Sequence, residues 1–311
     1  MKNTIIIILL VVAIFVGGYF LFPNLFNNNS NTDTTDTTGQ VKLIDKTTET
    51  EEKSTNGEIT KSTNGGQTII GKSTEGRDIP VYQYGNGDTE ILLIGGIHGG
   101  YAWNTSLLGF EIINYLKETP TIIPDNVKIT IIPVLNPDGL SKVSEISKLS
   151  QLSKNPPALA DTIIGRFNSN NVDLNRNFDC NWEKVALWQN KEVSGGDEVF
   201  SEIESQAIKN YIEREKPTAV IVYYSAAGGV FSSSCNNGIL TETRTLTKTY
   251  ATASGYPSYD EFTAYETTGD IVNWLAKKNI PAISVLLTDH NNTEWTKNKA
   301  GVESILNYYA K

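Results

Sequence analysis

Four short apolar runs, Glu90–Ile94, Val127–Leu135, Ala219–Tyr223 and Ala282–Leu287, are nearly continuous rather than alternating with polar residues. A strand with one wet face alternates, so unbroken runs of this length indicate a sheet covered on both sides. Between them lie stretches of helical character: Trp103–Leu116, Ser201–Glu215, Asp270–Lys278 and, at the end, Gly301–Tyr309. Ser201 with Glu204 three residues on reads as a capping box. Thr68–Tyr82 reads as a hairpin around a glycine-containing turn. Strands alternating with helices predict a single α/β/α sandwich around a mixed, mostly parallel sheet. In such a fold functional side chains gather beyond the C-terminal ends of strands, where this sequence puts His98, Asn136, Ser225 and Asp289.

The polar octet Asn171-Val172-Asp173-Leu174-Asn175-Arg176-Asn177-Phe178 sets amides, a carboxylate and a guanidinium between apolar residues. A guanidinium beside an amide suits bidentate capture of a carboxylate, and the aspartate can orient an imidazole. Taken alone, the octet equally suits a loop whose Asn and Asp residues satisfy turns.

The chain divides into residues 1–26, 27–66 and 67–311. After Met1-Lys2-Asn3 an apolar run of about nineteen residues reaches Phe22, near the minimum for a membrane-spanning helix. It lacks a good small-residue cleavage site, which favours an uncleaved anchor over a secretory signal, with secretion as the alternative. Lys2 places the N-terminus inside and the domain on the extracytoplasmic side. Residues 27–66 are Asn, Thr, Ser, Asp, Glu and Lys with few apolar side chains, as in a disordered tether. A net charge of -9 disfavours nucleic acid as a partner. With His98 and His290 the only histidines, a multi-histidine metal centre is excluded.

Taken in order, several motifs resemble the zinc-dependent metallocarboxypeptidase family. They are Gly71-Lys72-Ser73 with Gly76-Arg77, Gly95-Gly96-Ile97-His98-Gly99, Asn136-Pro137-Asp138-Gly139, the octet, Ser201–Gln206, and Tyr265 with Gly269-Asp270. The resemblance implies a zinc held by two histidines and a glutamate, with a second glutamate as general base. Three protein ligands and one open position let the ion acidify a water and polarise a carbonyl.

Here the sequence departs from that pattern. His98 stands at the first ligand position, but the residues three and four further on are Tyr101 and Ala102, and we place the lost glutamate at Ala102. Tyr224 replaces the second histidine and Leu286 the catalytic glutamate. A phenol is a poor ligand at neutral pH, and Ala and Leu side chains neither ligate nor take a proton.

By resemblance Asn175 and Arg176 hold a substrate's C-terminal carboxylate, Arg166 stabilises an oxyanion, Tyr265 closes on the peptide, and Asp173 orients His98. Cys180 and Cys235 lie in family-like contexts, and outside the membrane an isolated pair favours a disulfide. The resulting expectation is a tethered pseudopeptidase without zinc that binds peptide or protein C-termini, cell-wall peptides among them. The alternatives are an active enzyme with a rearranged metal site and a structural domain with a relic cleft.

Overall fold

The computed structural model describes residues 65–311. The expected anchor (1–26) and nearly all of the expected tether (27–66) lie outside the described residues. No helix among the described residues is long and apolar enough to cross a membrane.

The chain opens with β1 (Gly66–Lys72) and β2 (Asp78–Tyr84), the expected hairpin, then β3 (Thr89–Ile94), α1 (Trp103–Glu118) and β4 (Val127–Ile132). A long excursion built of short helical turns follows. Next come a two-stranded hairpin, β5 (Val185–Trp188) and β6 (Lys191–Ser194), then α2 (Ile203–Glu215), β7 (Ala219–Ser225) and β8 (Gly229–Ser232). The domain closes with α3 (Thr241–Ser254), β9 (Ser258–Tyr259), α4 (Ile271–Lys277), β10 (Ala282–Leu287) and α5 (Trp295–Tyr309).

Eight strands form one sheet in the order β1-β2-β4-β3-β7-β10-β8-β9. The four inner strands β4, β3, β7 and β10 run parallel, while β2 and β8 join them antiparallel. The unbroken apolar runs are these inner strands, and successive residues serve opposite faces. Ile91, Leu93, Ile221, Tyr223, Ile283 and Val285 pack with Leu108 and Ile112 of α1, Leu246 and Tyr250 of α3, and Val302 and Ile305 of α5. Leu92, Ile94, Val220, Val222, Tyr224 and Leu286 pack instead with Ile208 and Tyr211 of α2 and Trp274 of α4. Two apolar layers on one sheet make the expected sandwich.

The capping box does not form. Helix α2 starts at Ile203 with Glu202 as its N-cap and no side-chain cap. Glu204 is drawn away because its carboxylate accepts Thr74 N and Oγ1 on one oxygen and Asn168 Nδ2 on the other. A tertiary contact has overridden a local one.

Candidate functional site

From β3 the chain crosses to β4 on one side, and later returns to β7 on the other side of β3. This reversal opens a crevice beyond the C-terminal ends of β3 and β7, the usual place for a ligand in such sheets. A cavity of about 350 Å³ occupies it, within the ordinary range for small-ligand sites. His98 reaches its wall from the loop after β3, Tyr224 from the end of β7 and Leu286 from β10.

His98 is 5% exposed. Its Nε2 lies 3.3 Å from Asp173 Oδ1, in a direction that makes no hydrogen bond, and both ring nitrogens lack a partner. Burial above all, with the Arg166 charge second, pushes its pKa down to about 4, so the ring is neutral at physiological pH. Asp173 is fully buried. Burial by itself would raise its pKa, but the Arg166 guanidinium above all holds it well below the usual carboxylate range. Arg166 Nε and Nη2 both donate to Asp173 Oδ2, at 2.9 and 2.7 Å. The arginine expected to stabilise an oxyanion is therefore ion-paired, although it also lines the cavity.

Of the third and fourth residues after His98, Tyr101 lines the cavity, and Ala102, fully buried at the start of α1, does not. The expected ligand position Ala102 therefore lies off the cavity, and it is Tyr101 that the fold brings to it. The helix-start geometry turns position 102 into the interior and position 101 toward the site. Tyr224 and Leu286 are register partners on neighbouring parallel strands, and the Tyr224 ring is centred 5.7 Å from that of His98. These positions converge, but their chemistry does not suit zinc. Burial raises the Tyr101 phenol's pKa. It raises that of Tyr224 well above the ordinary value, with Asp270 adding to the effect. Two protonated phenols and a leucine around one imidazole are not the ligand set of a catalytic zinc. Among the described residues no group of three or more His, Cys, Asp or Glu is placed to hold a metal.

Asn175 and Arg176 sit in a helical turn, Leu174–Arg176, for which Asp173 is the N-cap. The Asn175 amide is tightly held: Nδ2 donates to Asp270 Oδ2 at 2.7 Å, and Oδ1 accepts Ile271 N at 3.2 Å and the Tyr224 hydroxyl at 3.3 Å. Arg176 is 1% exposed. Its Nε and Nη2 donate to Leu187 O at 3.0 and 2.9 Å, and Nη1 to Asn175 O at 2.7 Å. Tyr265 is half-buried at the cavity edge, its ring 5.0 Å from Phe262. Cys180 and Cys235 form a disulfide with Cα atoms 6.2 Å apart. His290, beside the cavity, holds Tyr101 O at 3.1 Å through Nδ1.

One contributor escapes the sequence reading, and two entered it only as positions. Trp188 lies under Arg166, 4.4 Å from guanidinium carbon to ring centroid, and belongs to a hairpin whose short strands carry little signal. Tyr101 was legible by its spacing from His98. Asp270 was legible as part of Gly269-Asp270, but its bond to Asn175 joins residues far apart in the chain.

A mixed, mostly parallel α/β sheet with these side chains at its switch point defines a metallocarboxypeptidase-like domain. Residues 66–304 match the zinc carboxypeptidase family, Peptidase_M14, and the chain belongs to that family. Human Carboxypeptidase D is 34% identical over 122 residues, which cover 35% of this chain and only 8% of that protein. The "Inactive metallocarboxypeptidase ECM14" of Ajellomyces dermatitidis is 26% identical over 164 residues, 47% of this chain and 26% of its own. Among solved structures, thrombin activatable fibrinolysis inhibitor matches with a TM-score of 0.62 at 16% identity, over 79% of this chain and 69% of that one. Murein-tripeptide amidase MpaA from Escherichia coli O157 matches at 0.53 and 22% identity, over 79% and 93%. At these identities the structural likeness concerns the fold alone.

Proposed function

We propose that this domain binds the C-terminal carboxylate of a peptide and does not hydrolyse it through a zinc-bound water. The observation that carries this reading is Arg176. A guanidinium has five N–H groups, and its three bonds to Leu187 O and Asn175 O leave one N–H unused on each terminal nitrogen of a residue that lines the cavity. A permanently charged group with two free donors recognises a carboxylate without metal. The relative named as an inactive metallocarboxypeptidase supports loss of hydrolysis within the family. The Cys180–Cys235 bond supports an oxidising, extracytoplasmic compartment.

The test is a calorimetric titration with matched free-acid and C-terminally amidated peptides, drawn from both cell-wall stem peptides and protein tails. The free acid should bind with a Kd of tens of micromolar, roughly -6 kcal/mol, and the amide much more weakly. Arg176→Ala should reproduce the amide's effect. Equal binding of both forms would leave the cleft as a structural relic.

A further inference from the structure

We infer that Arg166 is the positioning residue of the carboxylate site, holding both supports of Arg176 at once. The inference rests on the carboxylate-binding reading above and adds a residue that acts through another. The first support is the turn. Asp173 O accepts Arg176 N at 2.8 Å and Asp173 Oδ1 accepts Asn175 N at 3.1 Å, while Arg166 holds the other carboxylate oxygen with two donors. The second support is the Leu187 carbonyl, which aims the Arg176 guanidinium through Nε and Nη2. Leu187 precedes Trp188, and the face of Trp188 is stacked by the same Arg166.

The contacts close a ring: Arg166, Asp173, the turn, Arg176, Leu187, Trp188 and back to Arg166. The hairpin and the turn are stitched together once more where Asp173 N donates to Ser194 O at 3.0 Å. Only a planar guanidinium can fill this place, because its edge must pair with a carboxylate while its face lies on an indole. Its charge matters as well. Asp173 takes its guanidinium hydrogen bonds from Arg166 and none from Arg176, so the unused donors of Arg176 stay available to an anion. With Arg166 lost, a buried carboxylate beside Arg176 would compete with the ligand for it.

The experiment uses the full-length chain and the variants Arg166→Lys, Trp188→Leu, Trp188→Phe and Arg176→Ala, probed with N-acetyl-trialanine as free acid and as amide. Arg166→Lys and Trp188→Leu should each weaken free-acid binding by about tenfold, leave amide binding unchanged, and spare Trp188→Phe, which keeps an aromatic face. A second readout needs no ligand. The Arg176 Nε–H resonance, assigned by its loss in Arg176→Ala, should exchange slowly with water in the wild type. In Arg166→Lys and Trp188→Leu it should exchange at least about tenfold faster, with the remaining amide spectrum preserved. If the wild type binds acid and amide alike, the carboxylate reading falls, and the Nε–H exchange still decides the positioning role. Unchanged Nε–H protection in folded Arg166→Lys and Trp188→Leu overturns the inference. So does an Arg166→Lys penalty that persists in full in the Arg176→Ala background, since that would mark Arg166 as a direct ligand contact.

Discussion

Removing the Cys180–Cys235 bond should lower the stability of the domain by an amount set by the loop it closes. The linked residues are separated by 55 positions, and for a loop of that length the chain-entropy relation gives about 4 kcal/mol at 25 °C. The native state should lose little besides, because both cysteines lie in a small apolar cluster with Ala276 and alanine leaves no polar atom there. The double variant Cys180→Ala/Cys235→Ala is therefore a cleaner perturbation than a pair of serines. Urea unfolding followed by tryptophan fluorescence should show a loss of between about 2 and 4 kcal/mol, with a steeper denaturant dependence because the unfolded chain expands further. Reducing agent should produce the same loss in the wild type and none in the variant. A loss below about 1 kcal/mol in a folded double variant would refute the reasoning, since the loop would then be no constraint on the unfolded chain.

Dialysis against zinc followed by metal-free buffer should leave far less than one zinc per chain by elemental analysis. The triple variant Tyr101→Glu/Tyr224→His/Leu286→Glu should retain it, and the version carrying Ala102→Glu in place of Tyr101→Glu should not. A firmly held zinc on the unmodified chain, lost in His98→Ala, would contradict this. Asp138 is buried and accepts from Ser73 Oγ at 2.5 Å, Glu75 N at 3.0 Å and Arg77 Nη1 at 2.7 Å. Against the opposing effect of burial, these donors hold its pKa below the usual value. A depressed folded pKa stabilises above the unfolded value and the benefit fades as pH falls through the folded one. Asp138→Asn should thus cost on the order of 2 kcal/mol at pH 7 and progressively less below about pH 4, as read from unfolding curves across that range. Gly269 has φ of +62°, and a Cβ there would run into the Arg176 carbonyl. Gly269→Ala should therefore cost more than about 1 kcal/mol in the same assay and weaken free-acid binding with it.

How much of this was legible follows the physics of each segment. The inner strands could be read because burial on both faces demands unbroken apolar runs, and His98 and Tyr224 could be placed because they sit where such runs end. Helix α3 could not. Threonine occupies alternate positions from Thr241 to Thr249, a period-two pattern of β-branched residues that suggests a strand. The helix forms because Leu246 and Tyr250, four apart, bury against α5 and the sheet. The hairpin β5–β6 was hidden by its brevity. The site residues were legible as a set, but their bonds were not: nothing local shows that Asp173 pairs with Arg166 while leaving the His98 nitrogens without a partner, or that Asn175 is fixed by Asp270.

The side-by-side register of Tyr224 and Leu286 also bears on how such a site can change over generations. Tyr224→His alone takes away the hydroxyl bonded to Asn175 Oδ1. Leu286→Glu alone sets a carboxylate at a buried position beside an imidazole that burial keeps neutral, and there it would occupy the Arg176 charge that a ligand needs. Each single step back toward a metal centre is unfavourable, and the gain arrives only when all of the steps are present. Two adjacent positions thus act as a ratchet: from this arrangement no single substitution at either one leads downhill toward a metal centre.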